Sequence, residues 1–159
     1  MPSNTILVGS IVSCLAFLIN GTVLFLVLSR GRQRYHYLFA ASLAAFAISN
    51  LSIELFYIRN SHPGEAIIYF SVTQSCALLS VPCIYHFTCR YLDRPGKKST
   101  IIIWAYMAIA TIFTFFGVVS GTGPMALTHA DWGNYMAFHG GVMDRIFHSV
   151  LVVSLLVII

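Results

Sequence analysis

The sequence predicts an all-α fold: a polytopic bundle of transmembrane helices, five of them visible, with the N-terminus outside. Three observations predict it. Apolar residues make up 58% of the 159, against roughly 45–50% in soluble domains. Charged residues make up only 9%, against about 25% in such domains, too few to cover the surface of a water-soluble protein of this size. The apolar residues also gather in runs of membrane length, since about 20 helical residues cross a hydrocarbon core of about 30 Å. The same composition excludes intrinsic disorder, which needs low hydrophobicity and high net charge. The net charge is +4. The Lys and Arg residues fall in short clusters between apolar runs and not along one face, so no nucleic-acid partner is expected.

Each element follows from the chain in order. The first helix is expected over about 6–29, because no charged side chain occurs between Met1 and Ser29. With no basic leader and no cleavage site of small residues, this stretch does not read as a signal peptide. Arg30, Arg32 and Arg34 follow it as a stop-transfer cluster would. The second helix is expected over 35–58, with Glu54 as its one charge near the far end. The third covers 66–89 and is followed by Arg90, Arg94, Lys97 and Lys98. Pro82 lies inside it and cannot donate to the carbonyl of Leu78, so a kink is expected, either a hinge or a static shape feature. The fourth helix covers 100–119, ahead of the turn-rich Ser120, Gly123 and Pro124. The stretch 120–140 reads as an outer loop carrying Asp131, Trp132, Tyr135 and His139.

A fifth helix is expected over 141–159. Its last 14 residues, Ile146–Ile159, cover only about 21 Å at helical rise. The expectation is therefore that the chain is part of a longer protein, with further helices and a cytoplasmic output domain beyond it.

Seven of the nine Lys and Arg residues fall on one side of these spans, leaving Arg59 and Arg145 on the other. The positive-inside rule then places the N-terminus outside. Tyr35, Tyr37, Tyr57, Tyr69, Tyr85 and Tyr91 lie near helix ends, where an interfacial aromatic belt belongs.

Polar groups within the spans are the best functional clues, because each costs several kcal/mol if left unpaired in lipid. Asn50 and Glu54 are one turn apart on one face of the second helix. Gln74 on the third lies at a comparable depth, about 12 Å below the outer surface, and Asn20 lies deeper on the first. Two readings fit: an outer-facing polar pocket that receives a ligand or a proton, or interhelical hydrogen bonds that only hold the bundle together. His139, Asp144 and His148 form a His/Asp/His group that matches no zinc spacing, so no metal site is assigned. Cys14, Cys76, Cys83 and Cys89 show no CxxC pair and read as small apolar packing residues. Ala41, Ala45 and Ser49 form a stripe of small residues that permits close helix packing, and Gly117-x-x-x-Gly121 is a weaker one. The matches Asn20-Gly-Thr and Asn50-Leu-Ser fall inside spans and are not glycosylation sites. Nothing in the chain forms a catalytic motif or a cofactor-binding loop.

Three stretches carry a family resemblance: AASLAAFAISNLSIELF (40–56), LLSVPCIYHFTCRYLDRP (78–95) and HADWGNYMAFHGGVMDRIFHSVLVV (129–153). Together they reach from about Phe39 nearly to the end of the sequence, and they resemble the seven-transmembrane N-terminal sensor region of bacterial histidine kinases and of related diguanylate cyclase sensors. Five helices stand where that family has seven. The resemblance implies an integral protein of the bacterial inner membrane that detects an extracytoplasmic or membrane-borne signal and relays it to a cytoplasmic kinase or cyclase, working as a homodimer. Its partners would be the bilayer and a signal ligand not specified by the family. The candidate signal contacts are Asn50, Glu54 and Gln74, with Trp132, Tyr135 and His139 in the outer loop, and Pro82 is the candidate hinge. Two other readings stay open: a transporter-like subunit with the same polar groups along a substrate path, and a membrane scaffold that only packs against partners.

Overall fold

A computed structural model of the chain describes residues 2–59, 61–94, 97–121, 125–130 and 133–138, with the isolated positions 145 and 149. Four long helices follow one another: α1 (Pro2–Arg30), α2 (Arg34–Ile58), α3 (Pro63–Tyr91) and α4 (Lys97–Ser120). Within these elements Leu7–Arg30, Arg34–Ile58, Pro63–Tyr91 and Lys98–Ser120 are each long and apolar enough to cross a membrane. Consecutive helices pack together, α1 on α2, α2 on α3 and α3 on α4, so α2 and α3 form the middle of the bundle.

The polarity of the packing is inverted relative to a water-soluble bundle. On α1 the exposed residues include Leu7, Val8, Ile11, Val12, Leu15, Leu18, Ile19, Phe25, Leu26 and Leu28, whereas Ser13 is buried. Serines at 42, 52, 71, 75 and 80 are buried as well. Small hydroxyl side chains let backbones approach, and large apolar ones face lipid, as the membrane environment requires. Ser42, Ser71 and Ser80 also satisfy their hydroxyls on carbonyls of their own helix, at Phe39, Ile67 and Ala77. This is an integral membrane protein by the length and composition of its helices.

Helix α2 shows why it sits centrally. Ser42, Ser49 and Phe56 recur every seven residues on one face. That face meets α3, where Ser49 Oγ donates to the Thr73 carbonyl at 3.0 Å and Phe56 lies against Phe70. Ala47 and Glu54 share another stripe, and Glu54 meets α1. The stripe expected from Ala41, Ala45 and Ser49 holds only in part: Ser49 is in the seam, but Ala41 is exposed and Ala40, Ser42, Ala47 and Ser52 are the buried small residues.

Helix α3 begins three residues ahead of the expected 66. Pro63 occupies its first turn, where the missing N–H costs nothing, and the His62 carbonyl already accepts from Ala66 N at 2.9 Å. The helix runs on through Pro82, which is fully buried.

The stretch expected to be an outer loop contains a β-hairpin. Strand β1 (Met125–Ala130) pairs antiparallel with β2 (Gly133–Phe138), in a register that sets Leu127 opposite Met136 and His129 opposite Asn134. Met125, Leu127 and Met136 pack on a core of Phe56, Ala66, Phe70 and Val118, which joins α2, α3, α4 and the hairpin. Alternation along the strands puts these apolar residues on one face, and burial against the helix ends holds them there. A second core, Leu78 and Met107 with Val81 and Ile103, joins α3 to α4 farther along. Of the expected fifth helix only positions 145 and 149 are described. Both are helical, and Ser149 Oγ donates to the Arg145 carbonyl at 2.8 Å.

Candidate functional site

The candidate site forms where the start of α1 meets the end of α2. No charged residue occurs in α1 before Arg30, and α2 beyond Arg34 carries only Glu54. Ser10 Oγ donates a hydrogen bond to Glu54 Oε1. Glu54 Oε2 is buried and has no hydrogen-bond partner among the described residues. The Tyr57 ring lies against α1 here because Gly9 has no side chain: an added Cβ would sit 3.0 Å from Tyr57 Oη. A carboxyl oxygen withdrawn from water without a donor costs several kcal/mol. The contact therefore holds an open acceptor, suited to a hydrogen-bond donor or a cation.

Asn50 lies one turn from Glu54 on α2, and its Nδ2 donates to the Phe46 carbonyl at 2.8 Å, within its own helix. Gln74 is partly buried on α3, next to the Thr73 that meets α2, and among the described residues no hydrogen bond joins it to Asn50 or Glu54. Tyr135 lies on β2 opposite Thr128 and is 37% exposed. Trp132 and His139 lie outside the described residues, as do Asp144 and His148. Pro82 sits beside the Leu78–Met107 core, so any bending there must rearrange buried packing.

Three groups escaped the sequence reading. Ser10 is one, and nothing in an apolar first helix marks it as the partner of a residue 44 positions away. Ser75 is another: it is 8% exposed, and its Oγ has no partner among the described residues. The third is the pair His129 and Asn134, whose Nδ1 and Oδ1 lie 3.1 Å apart, with Asn134 only 5% exposed. At the α2–α3 turn Arg59 Nε lies 3.6 Å from Glu65 Oε2, both about half exposed, a pair worth little in water. Among the described residues no group of three His, Cys, Asp or Glu is placed to hold a metal. The four cysteines are free.

Comparison of the chain with protein-family models, with curated proteins and with solved structures returns no match.

Proposed function

We propose that the chain is the membrane-embedded input region of a bacterial signalling protein. It detects an extracytoplasmic or membrane-borne signal and relays it to a cytoplasmic histidine kinase or similar output. The observation that carries this reading is the open carboxyl oxygen of Glu54 at the α1–α2 contact. Helix α1 packs mainly on α2 and is otherwise largely exposed, so this contact is the main one that holds α1 to the bundle. A stimulus shifts an equilibrium only by binding its two states with different affinity. A donor or cation that engages Oε2 sits beside the Ser10–Oε1 contact only when α1 is docked, and so distinguishes a bundle with α1 docked from one with α1 displaced.

The test is Glu54→Gln in the full-length protein, in inner-membrane vesicles supplied with labelled ATP. The expected outcome is altered phosphoryl transfer at unchanged membrane abundance. Unchanged output would remove Glu54 from the signal path. Solute uptake into the vesicles that is lost with Glu54→Gln would replace the sensor reading with a transporter.

A further inference from the structure

The opposite end of the bundle supports an inference that does not depend on the sensory reading. Here two connections far apart in sequence, α1–α2 and α3–α4, come side by side. The α1–α2 turn is only three residues long, 31–33, and Gly31 makes it possible: a Cβ there would lie 2.5 Å from the Val27 carbonyl oxygen. The start of α2 is pinned to the end of α3 by rings. Phe39 stacks on Phe87 at 5.0 Å, Phe87 on Tyr91 at 5.7 Å, and Tyr35 meets Tyr91 edge-on at 5.9 Å. Tyr85 Oη donates to Ser99 Oγ at 3.0 Å, which ties the start of α4 to the same end.

These contacts gather cations. Arg30, Arg32 and Arg34 flank one side of the aromatic stack, and Arg90, Arg94 and Lys98 the other; all six are exposed. Asp93 is the one acidic residue in these connections, and among the described residues none of the six forms an ion pair. Exposed Tyr91 and Leu92 lie among them, so the charges border apolar side chains of the kind that sit at a bilayer surface.

We propose that this end binds a phospholipid headgroup carrying two phosphates. Each connection supplies cations for one phosphate, and the Tyr35–Tyr91 contact fixes the two clusters next to each other. A headgroup with one phosphate engages one cluster only. Basic residues next to a membrane surface attract anionic lipid at a strength equivalent to about fivefold in affinity per charge.

The test uses the whole chain in micelles doped with equal amounts of cardiolipin, phosphatidylglycerol and phosphatidylcholine, with retained lipids read by native mass spectrometry. Cardiolipin is expected to be retained in preference to both others. The triple variant R34Q/R90Q/R94Q should lose that preference by about fivefold per charge removed, whereas R59Q at the far end should keep it. Should the triple variant not fold, rising salt must strip cardiolipin from the unaltered chain and leave phosphatidylcholine in place. Equal retention of the three lipids overturns the proposal, as does a preference unmoved by the substitutions or by salt. Displacement of cardiolipin by inorganic phosphate would assign the site to soluble phosphate instead.

Discussion

The two ends of the bundle are built from similar aromatic and aliphatic residues but solve different problems. At the hairpin end, Phe56, Ala66, Phe70 and Val118 are buried, Met125, Leu127 and Met136 cover them, and Arg59 has Glu65 within reach. At the basic end, Tyr35, Phe39, Phe87 and Tyr91 contact one another in a row, yet none is fully buried, and the surrounding cations form no ion pair among the described residues. One end is closed by its own chain. The other presents charge and rings to whatever lies at the membrane surface. The chemistry that needs a partner therefore divides between a hidden carboxyl near the first end and an open basic surface at the second.

Paired truncations give the largest way to break this contrast. Phe70→Ala removes a ring at the centre of the hairpin-end core, and such changes cost roughly 3–5 kcal/mol in packed interiors. Atoms lining the void would forfeit their dispersion attraction in lipid as in water. Phe87→Ala removes three ring pairs, to Tyr35, Phe39 and Tyr91, at a half-open site that leaves no closed void, each worth about 0.5–1.5 kcal/mol beyond its area. Thermal unfolding in detergent should rank Phe70→Ala as the more damaging, and limited proteolysis should cut within 125–138 in that variant alone. Equal sensitivity of the hairpin in both variants would mean that the ends are not separate units.

The middle of the hairpin sharpens the contrast at smaller scale. Asn134 is buried and His129, its partner, is exposed. Asn134→Ala leaves a histidine nitrogen that water can reach, and the loss of the His129 hydrogen bond should itself cost about 1 kcal/mol, the ordinary worth of one such bond. The expected readout is faster proteolysis within the hairpin with lipid retention at the basic end unchanged. Proteolysis at the unaltered rate would show that apolar burial alone holds the hairpin down.

Much of this architecture is legible in the sequence because bilayer thickness dictates helix length. The expected spans 35–58 and 100–119 fall within three residues of Arg34–Ile58 and Lys97–Ser120. The hairpin is not legible in the same way. Ala126, Ala130 and Ala137 are poor strand formers, and β-propensity reflects fit to a half-buried surface more than intrinsic preference. Only the alternation of Met125, Leu127 and His129 signals it. At the site, the four-residue spacing of Asn50 and Glu54 places them on a common face, since helical geometry is local. That Glu54 meets Ser10 depends on which neighbour each face of α2 receives, and periodicity within one helix carries no such information.

The smallest effect lies midway between the ends and asks whether they communicate. Ser49 Oγ donates to the Thr73 carbonyl at 3.0 Å, and Thr73 Oγ1 lies 3.4 Å from the Ser49 carbonyl while donating to the Tyr69 carbonyl at 2.9 Å. This reciprocal clasp is a hydrogen-bonded link between the central helices. Interhelical hydrogen bonds in membranes average about 0.6 kcal/mol in double-mutant cycles. Ser49→Ala and Thr73→Val should therefore couple by about that amount in thermal unfolding, with both single variants fully folded. If the clasp serves only to fix the α2–α3 contact, hairpin proteolysis and cardiolipin retention should each stay as in the unaltered chain. A change at both ends from so small a loss would show that α2 and α3 move as one lever between the buried carboxyl and the basic surface.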